Sequence, residues 1–170
     1  MKNVTYNQYA EHVLDRLKNG GVFLTAKDGD EINTMTMGWG SLSYYWRKPV
    51  FLVPVRYSRH THDMLDASDC FTVTIPRGDE MKEALVHCGT HSGRDEDKFA
   101  ATGLTPLEGL NVDCPVIKEG FLHYECKTVG KVDLTDEHLD SSIVEGFYKT
   151  GDYHTLYIGE IVACYVDDEE

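Results

Sequence analysis

The alternation of apolar and polar residues along the chain predicts a protein built mainly from β-strands. Asp28-Gly29 lies between the first two strand-like runs and is typical of a hairpin turn. Pro54, in the third run, indicates a sheet edge or a bulge near that end of the strand. The predicted strands are Val22–Ala26, Ile32–Met37, Val50–Val55, Phe71–Ile75, a longer stretch from Val116 to Val132 broken at Gly120 and Gly130, and His154–Val166.

Four segments have helical character and are short enough to fill connections between strands. The first is followed by Gly20-Gly21, a typical helix end, and Thr61 is placed to cap the second. In the third, Met81, Leu85 and Cys88 are predicted to face the core. The predicted helices are Tyr6–Lys18, Thr61–Ala67, Asp79–His91 and a short stretch within Gly93–Ala101, while Gly103–Pro115 is predicted to be a loop.

The arrangement of these elements predicts a single domain over residues 1–170. No internal repeat, low-complexity segment or linker interrupts the chain. Six or seven strands with short helices at their connections predict a closed or nearly closed β-barrel decorated with helices. A chain of 170 residues with 41% hydrophobic residues is also long enough to bury a core without disulfide bonds.

Composition and charge exclude some classes of protein. The 16 basic and 29 acidic residues give a net charge of −13, which argues against binding to nucleic acid or to an anionic membrane surface. The first twenty residues lack the apolar run of a signal peptide, and no stretch is long and apolar enough to span a membrane. The five cysteines are irregularly spaced and odd in number, which predicts reduced thiols and a cytoplasmic protein.

The negative charge is unevenly distributed. Ser41–His62 contains no acidic residue but four cations, namely Arg47, Lys48, Arg56 and Arg59, so it carries +4. One interpretation is that two strands and a turn lack acids by chance. The other is a local anion site, because a small phosphate-bearing ligand needs positive charge only where it docks.

Two neighbouring motifs combine groups that could bind a flat ligand carrying a phosphate. Asn33–Gly40 joins small polar side chains, two glycines and Trp39, which suits close backbone approach to a ring and coverage of one face. An ordinary strand with a glycine bulge is the structural alternative. Arg56–Thr61 follows a strand and precedes a helix, so guanidinium, hydroxyl and amide groups could converge on one phosphate.

Two further motifs leave a structural and a functional interpretation open. Arg94 and Lys98 are four residues apart in an acidic stretch, as in either an anion site or a solvated helix with ion pairs. His87, Cys88 and His91 resemble metal ligands on one helix. A fourth ligand at suitable spacing is not evident and no His-Glu-x-x-His pattern is present, so no metal site is predicted.

Four stretches follow one another along the chain: Asn33-Thr34-Met35-Thr36 with Trp39, Arg56-Tyr57-Ser58 with Thr61, Ser92-Gly93-Arg94-Asp95 with Asp97-Lys98-Phe99, and His154–Ile161. Together they resemble the flavin reductase-like family with its FMN-binding split barrel, and are most similar to its flavoredoxin branch. The similarity extends from about Val22 to Val162. It implies a mainly β split barrel with short helices, assembled as a homodimer that binds one FMN per subunit noncovalently near the interface.

The resemblance also implies roles for individual residues. Trp39 would lie near the flavin ring system, and His154 would lie close to the flavin and to the nicotinamide approach as the candidate catalytic residue. The ring and ribityl chain would be lined, largely by backbone contacts, by Asn33, Thr34, Met35 and Thr36. The phosphate end would be held by Arg56, Ser58 and Thr61, with Ser92, Arg94 and Lys98 contacting the flavin or its phosphate.

The implied reaction is hydride transfer from NADH or NADPH to the bound flavin and onward to an electron acceptor, because the cofactor carries this chemistry. Two other classes stay open: an electron-transfer flavoprotein reduced by a protein partner, and a noncatalytic FMN- or haem-binding module. A metal-dependent hydrolase is a more distant alternative. One departure concerns the acid before the final histidine, because Tyr153 separates Asp152 from His154.

Overall fold

The computed structural model describes residues 1–167, and within them the predicted mainly β architecture with short helices is confirmed. The strands are β1 (Lys2–Asn3), β2 (Val22–Asp28), β3 (Glu31–Met37), β4 (Ser41–Tyr45), β5 (Lys48–Arg56), β6 (Cys70–Ile75), β7 (Pro106–Leu107), β8 (Val116–Ile117), β9 (Leu122–Leu134) and β10 (His154–Val166). The helices are α1 (Ala10–Lys18), α2 (His60–Ala67), α3 (Lys82–Thr90), α4 (Lys98–Thr102) and α5 (Ser141–Phe147), with a 3₁₀ turn at Asp136–His138.

One antiparallel sheet contains eight of the strands, in the order β3-β2-β6-β9-β10-β5-β4, with β1 also pairing with β10. Side chains from β3 and β5, which lie far apart in this order, belong to the same buried cluster, including Met35, Met37 and Phe51. A flat sheet could not bring them together, so the sheet curves around a shared core. This curvature is consistent with the predicted split barrel.

The two longest strands, β9 and β10, form the centre of the sheet. β10 pairs with β9 along its whole length and with β5 through its first half, so His154 stands opposite both Arg56 and Leu134. The β9–β10 ladder contains two register shifts, one of which leaves Val129 without a partner in β10. Gly130 therefore lies beside a bulge and does not end the strand, unlike Gly120, where the predicted break is confirmed.

Strand β4 and its hairpin with β5 were not predicted from the sequence. The turn consists of Trp46 and Arg47, both with positive φ (51° and 62°), between the paired residues Tyr45 and Lys48. Such two-residue turns usually carry Asn-Gly, so Trp-Arg gave no turn signature. The first residue of β4, Ser41, pairs with Leu52, so Pro54 has no partner in β4. This confirms the predicted sheet edge at that end of β5.

Thr61 does not cap α2, contrary to the prediction. The helix begins one residue earlier, after Arg59, and no side chain caps it. Thr61 is buried in the first turn instead, and its hydroxyl accepts a hydrogen bond of 2.9 Å from the Asn33 amide. α2 is thereby attached to β3, next to the cavity described below.

The loop before β8 is held by a fully buried carboxylate. Glu125 on β9 accepts hydrogen bonds from the backbone N–H groups of Leu110, Asn111 and Val112, at 2.7, 2.6 and 3.1 Å. The Tyr165 hydroxyl on β10 donates a fourth, at 2.7 Å. A buried carboxylate requires several such donors to offset its lost hydration, and here the loop supplies most of them.

All five cysteines are free and buried. Burial is the main cause that raises the pKa of the Cys88 thiol to about 11 and that of Cys114 to about 12, so both stay protonated near neutral pH. No helix among residues 1–167 combines the length and apolar character needed to cross a membrane.

Candidate functional site

Two adjoining cavities form one groove between β3, β5, the start of β10 and the segment that follows α3. Their volumes are about 170 and 330 Å³, the larger being within the usual range of ligand pockets of roughly 300–1,000 Å³. Both cavities share Met35, Arg56 and Arg59 as lining residues, so they form a continuous site. We call this site the groove, with an aromatic end in the smaller cavity and a cationic end in the larger.

The aromatic end is bounded by Trp39 and His154. Their ring centroids lie 5.3 Å apart, and Phe147 packs edge-on against Trp39 at 5.4 Å. Trp39 is 46% exposed although it is a large apolar side chain, and Phe147 is 52% exposed. An exposed aromatic pair beside a cavity is suited to covering the face of a planar ligand.

His154 is buried and hydrogen-bonded at this end. Its Nδ1 lies 2.8 Å from the Tyr148 hydroxyl. Burial lowers the pKa of His154 from 6.5 to about 4, and the positive charges of Arg56 and Arg59 act in the same direction. Because this imidazole is neutral near pH 7, it contributes a polar but uncharged wall to the groove.

Three cations line the cationic end, and their hydrogen-bond partners are backbone carbonyls. Arg56 donates to the carbonyls of Asp152 and Phe147, at 2.5 and 3.2 Å, and Arg59 donates to that of Gly89 at 2.8 Å. Lys98 Nζ donates to two carbonyls, one on β3 and one on α3, at 3.0 Å each. Carbonyls orient these cations without neutralising them, so their charge stays available to an anionic ligand.

Lys98 is 4% exposed, which is unusual for a lysine. Burial lowers its pKa, and the neighbouring Arg59 lowers it further, while Cys88 and Glu96 oppose the shift. No carboxylate of residues 1–167 hydrogen-bonds this ammonium, and a buried ammonium without such a partner is costly on its own. A bound anion in the groove would offset that cost.

One carboxylate lies in the cationic end. Asp152 accepts hydrogen bonds from the Ser58 backbone N–H at 3.0 Å and from the Ser58 hydroxyl at 2.7 Å. A phosphate oxygen could accept hydrogen bonds from the same two donors, so the Asp152 carboxylate now occupies a position at Ser58 that suits an anionic ligand.

The segment after α3 approaches β3 closely at Gly93. A Cβ atom at this position would lie 2.3 Å from Asn33 Oδ1, so a larger residue would displace the Asn33 side chain. His60, which lines the groove beside them, is bonded through Nε2 to Glu31 at 2.6 Å. Its Nδ1 is buried and has no hydrogen-bond partner among the described residues, which leaves one polar group for a ligand to satisfy.

The structure brings ten of the twelve predicted site residues to the groove. They are Asn33, Met35, Thr36, Trp39, Arg56, Ser58, Thr61, Ser92, Lys98 and His154. The Thr34 side chain does not line the groove, because its hydroxyl turns inward to bond the Leu24 carbonyl at 3.2 Å, but its own carbonyl accepts a hydrogen bond from Lys98. Arg94 also turns away and binds Asp63 at 2.6 Å and the Ser58 carbonyl at 3.1 Å, so it positions the Ser58 segment from outside.

Sequence reasoning missed Arg59, His60 and Asp152 as groove residues. Arg59 and His60 lie inside the acid-free segment Ser41–His62, so its charge pattern was the signal that could have found them. The other two cations of that segment lie elsewhere: Arg47 is in the β4–β5 turn, and Lys48 pairs with Glu160 at 2.6 Å.

The fold and groove agree with the results of sequence and structure comparisons. The flavin reductase like domain matches residues 14–170 of this chain. The chain therefore belongs to the flavin reductase-like family, which confirms the resemblance inferred from its four motifs.

Individual relatives support this assignment. An uncharacterized protein of Archaeoglobus fulgidus is 32% identical over 142 residues, which cover 82% of this chain and 68% of that protein. The flavoredoxin of Desulfovibrio vulgaris superposes with a TM-score of 0.70 at 28% identity, covering 88% of this chain and 70% of that one. The flavoredoxin of Methanosarcina acetivorans gives a TM-score of 0.69 at 25% identity, with coverage of 86% and 68%.

The depressed pKa of His154 predicts a specific pH dependence of stability. Between pH 6.5 and 4 the unfolded chain protonates this imidazole while the folded chain does not, so acidification favours unfolding. In His154→Asn the free energy of unfolding should fall less steeply with decreasing pH, by a slope difference approaching about 1.4 kcal/mol per pH unit.

Urea unfolding of both proteins at several pH values in this window measures the difference. Other titrating groups, such as the buried His123, whose pKa burial also lowers to about 4, contribute equally to both proteins and cancel. Parallel stability curves would show that folding leaves the pKa of His154 unshifted.

Proposed function

We propose that this protein is an FMN-binding oxidoreductase that takes reducing equivalents from NADH or NADPH and passes them to an electron acceptor. The observation that carries the proposal is the set of three groove cations held by carbonyl groups, beside an aromatic pair. This combination suits a ligand with a planar ring at one end and a phosphate at the other. The names of the similar flavoredoxins support a flavin as that ligand.

The residues of the groove fit FMN in chemical type. The cationic end offers Arg56, Arg59 and the Ser58 hydroxyl to a phosphate. The aromatic end offers Trp39 to the ring, and Gly38 and Gly40 beside it permit close backbone approach. Asn33, Met35 and Thr36 lie on β3 between the two ends, where the ring and ribityl chain would pass.

FMN, when bound, would supply the capacity to accept a hydride from a nicotinamide and release electrons afterwards. The protein's own contribution is electrostatic and positional. Lys98 places a buried positive charge at the β3 wall, where it would favour the more negatively charged reduced state of the ligand. His154, neutral near pH 7, would exclude water from that wall without adding a competing charge.

Titration of the flavin-free protein with FMN, followed by anaerobic addition of NADH or NADPH, tests this function. We expect saturable quenching of flavin fluorescence with one site per chain, and then loss of the flavin's visible absorbance when a nicotinamide is added. A protein that takes up no FMN would contradict the entire proposal.

The same experiment separates the alternatives. If FMN binds but neither nicotinamide reduces it, the hydride-transfer part of the proposal is wrong. Rapid reduction by a ferredoxin-type donor would then identify an electron-transfer protein, and failure of every donor would identify a binding module.

Removal of the Asp152 charge should tighten FMN binding. In Asp152→Asn the carboxylate no longer repels the phosphate, so we expect the dissociation constant for FMN to fall by roughly fivefold, equivalent to about 1 kcal/mol. Riboflavin, which lacks the phosphate, should show no comparable change.

Asp136→Asn is the matched control, because Asp136 lies in the exposed 3₁₀ turn and the substitution changes net charge equally. Equal effects of both substitutions on FMN affinity would assign the change to net charge alone. An equal effect of Asp152→Asn on riboflavin would place the phosphate elsewhere.

We also propose that the protein forms a homodimer through the exposed aromatic surface of the β4 hairpin. Tyr44 and Tyr45 on the edge strand β4 and Trp46 in the adjoining turn are 60%, 48% and 64% exposed, which is unusual for a protein that acts alone. Sedimentation should report roughly twice the 19.2 kDa of one chain. Trp46→Lys together with Tyr44→Lys should shift the mass to that of the monomer, and a monomeric wild-type protein would refute the dimer.

A further inference from the structure

The last turn of α3 presents two histidines side by side on its outer surface. His87 and His91 are four residues apart, and their rings stack in parallel with centroids 3.9 Å apart and an angle of 3°. Cys88, between them in sequence, points the other way and is fully buried with Phe23 and Leu85. The helix therefore separates the thiol from the imidazoles that the sequence had grouped together.

The segment between α3 and α4 adds a carboxylate to this pair. Glu96 Oε1 lies 2.5 Å from His87 Nε2, and one ligand atom from each of His87, His91 and Glu96 lies within 4.8 Å of the others. The His87 and Glu96 side chains are 27% and 32% exposed, so an ion from solvent can reach them. Sequence spacing concealed this third group because Glu96 is not on the helix.

Among residues 1–167, the hydrogen bonds of His91 engage only one of its two ring nitrogens. Its Nδ1 lies 3.3 Å from the His87 carbonyl and 3.1 Å from the Thr90 hydroxyl. Histidines that bind metal ions commonly donate the other ring N–H to a carbonyl oxygen, which fixes the orientation of the ring. His91 matches this pattern at Nδ1. Because an imidazole lone pair lies in the ring plane, the two parallel rings must turn relative to each other for both to reach one ion.

We propose that His87, His91 and Glu96 bind a divalent transition-metal ion, with zinc as the representative. Two imidazoles and one carboxylate form a known zinc ligand set, completed by water at the fourth position. Imidazole ligands favour zinc over magnesium and calcium, which prefer oxygen ligands alone.

The consequence for the molecule is attachment of the Ser92–Asp97 segment to α3. This segment carries Ser92 and Gly93, which line the groove, while His91 itself lies at the groove's edge. A metal bridge from the helix to Glu96 would hold the segment in the conformation seen here. The site lies beside the proposed flavin site and does not depend on that function.

Zinc binding to the full chain, free of any affinity tag, tests the proposal. Calorimetry with zinc in the presence of excess magnesium, which saturates sites made only of carboxylates, should show one zinc ion per chain. His91→Ala and Glu96→Gln should each lose at least about tenfold in zinc affinity, since changes to outer partners of metal ligands already cost about that much. Zinc should also raise the melting temperature of the wild-type protein.

His138→Ala is the matched control, because His138 is an exposed histidine in the 3₁₀ turn, with Nδ1 3.1 Å from the Thr135 hydroxyl. It should bind zinc like the wild type. His91→Ala distinguishes the metal site from a simple His87–Glu96 ion pair, which does not require His91. The proposal is overturned if wild-type protein binds no zinc under these conditions, or if folded His91→Ala, verified by circular dichroism, binds zinc as tightly as the wild type.

Discussion

The position of β10 between β5 and β9 is the constraint on which the groove depends. His154, the first residue of β10, stands opposite Arg56 on one side and Leu134 on the other. Because side chains alternate between the two faces of a strand, a slip of one residue would remove His154 from the groove wall. The same pairing carries the Asp152 backbone to the end of β5, where its carbonyl accepts a hydrogen bond from Arg56. Sheet pairing thus determines where both aromatic and charged groups of the site lie.

The groove resolves an electrostatic problem posed by the acidic chain. A net charge of −13 repels an anionic ligand over long distances, so the attraction must be local. Arg56, Arg59 and Lys98 supply it, since carbonyl groups hold them in place and leave their charge uncancelled. Asp152 is the one negatively charged group described in the groove. It weakens the positive potential beside the backbone N–H and hydroxyl of Ser58. The balance between these groups, and not the total charge of the chain, determines which ligands the groove can accept.

Much of the fold could be predicted from sequence, because the hairpin at Asp28-Gly29 and the apolar strands rely on local patterns. The β4 hairpin could not, since Trp46-Arg47 adopts a turn conformation that its residue types disfavour. Ten of the twelve residues predicted through family motifs line the groove, whereas Asp152 and Glu96 acquire their partners only through the fold. Asp152 is 94 residues from Ser58, and no spacing rule connects them. The side chains of Thr34 and Arg94 point away from the groove, and a motif identifies positions but not the direction in which each side chain points.

The buried carboxylate of Glu125 has a consequence for the order in which the chain folds. Its hydrogen-bond donors come from the Leu110–Val112 loop and from Tyr165 on β10, which follows Glu125 by 40 residues. Before β9 and β10 pair, the Glu125 carboxylate is hydrated and does not order the loop. After pairing, the buried carboxylate needs the N–H groups of the loop as hydrogen-bond donors. Closure of this loop is therefore tied to completion of the central ladder, a contact of long sequence separation that forms slowly. We therefore expect one acidic side chain in the core to make a surface loop a late and cooperative part of folding.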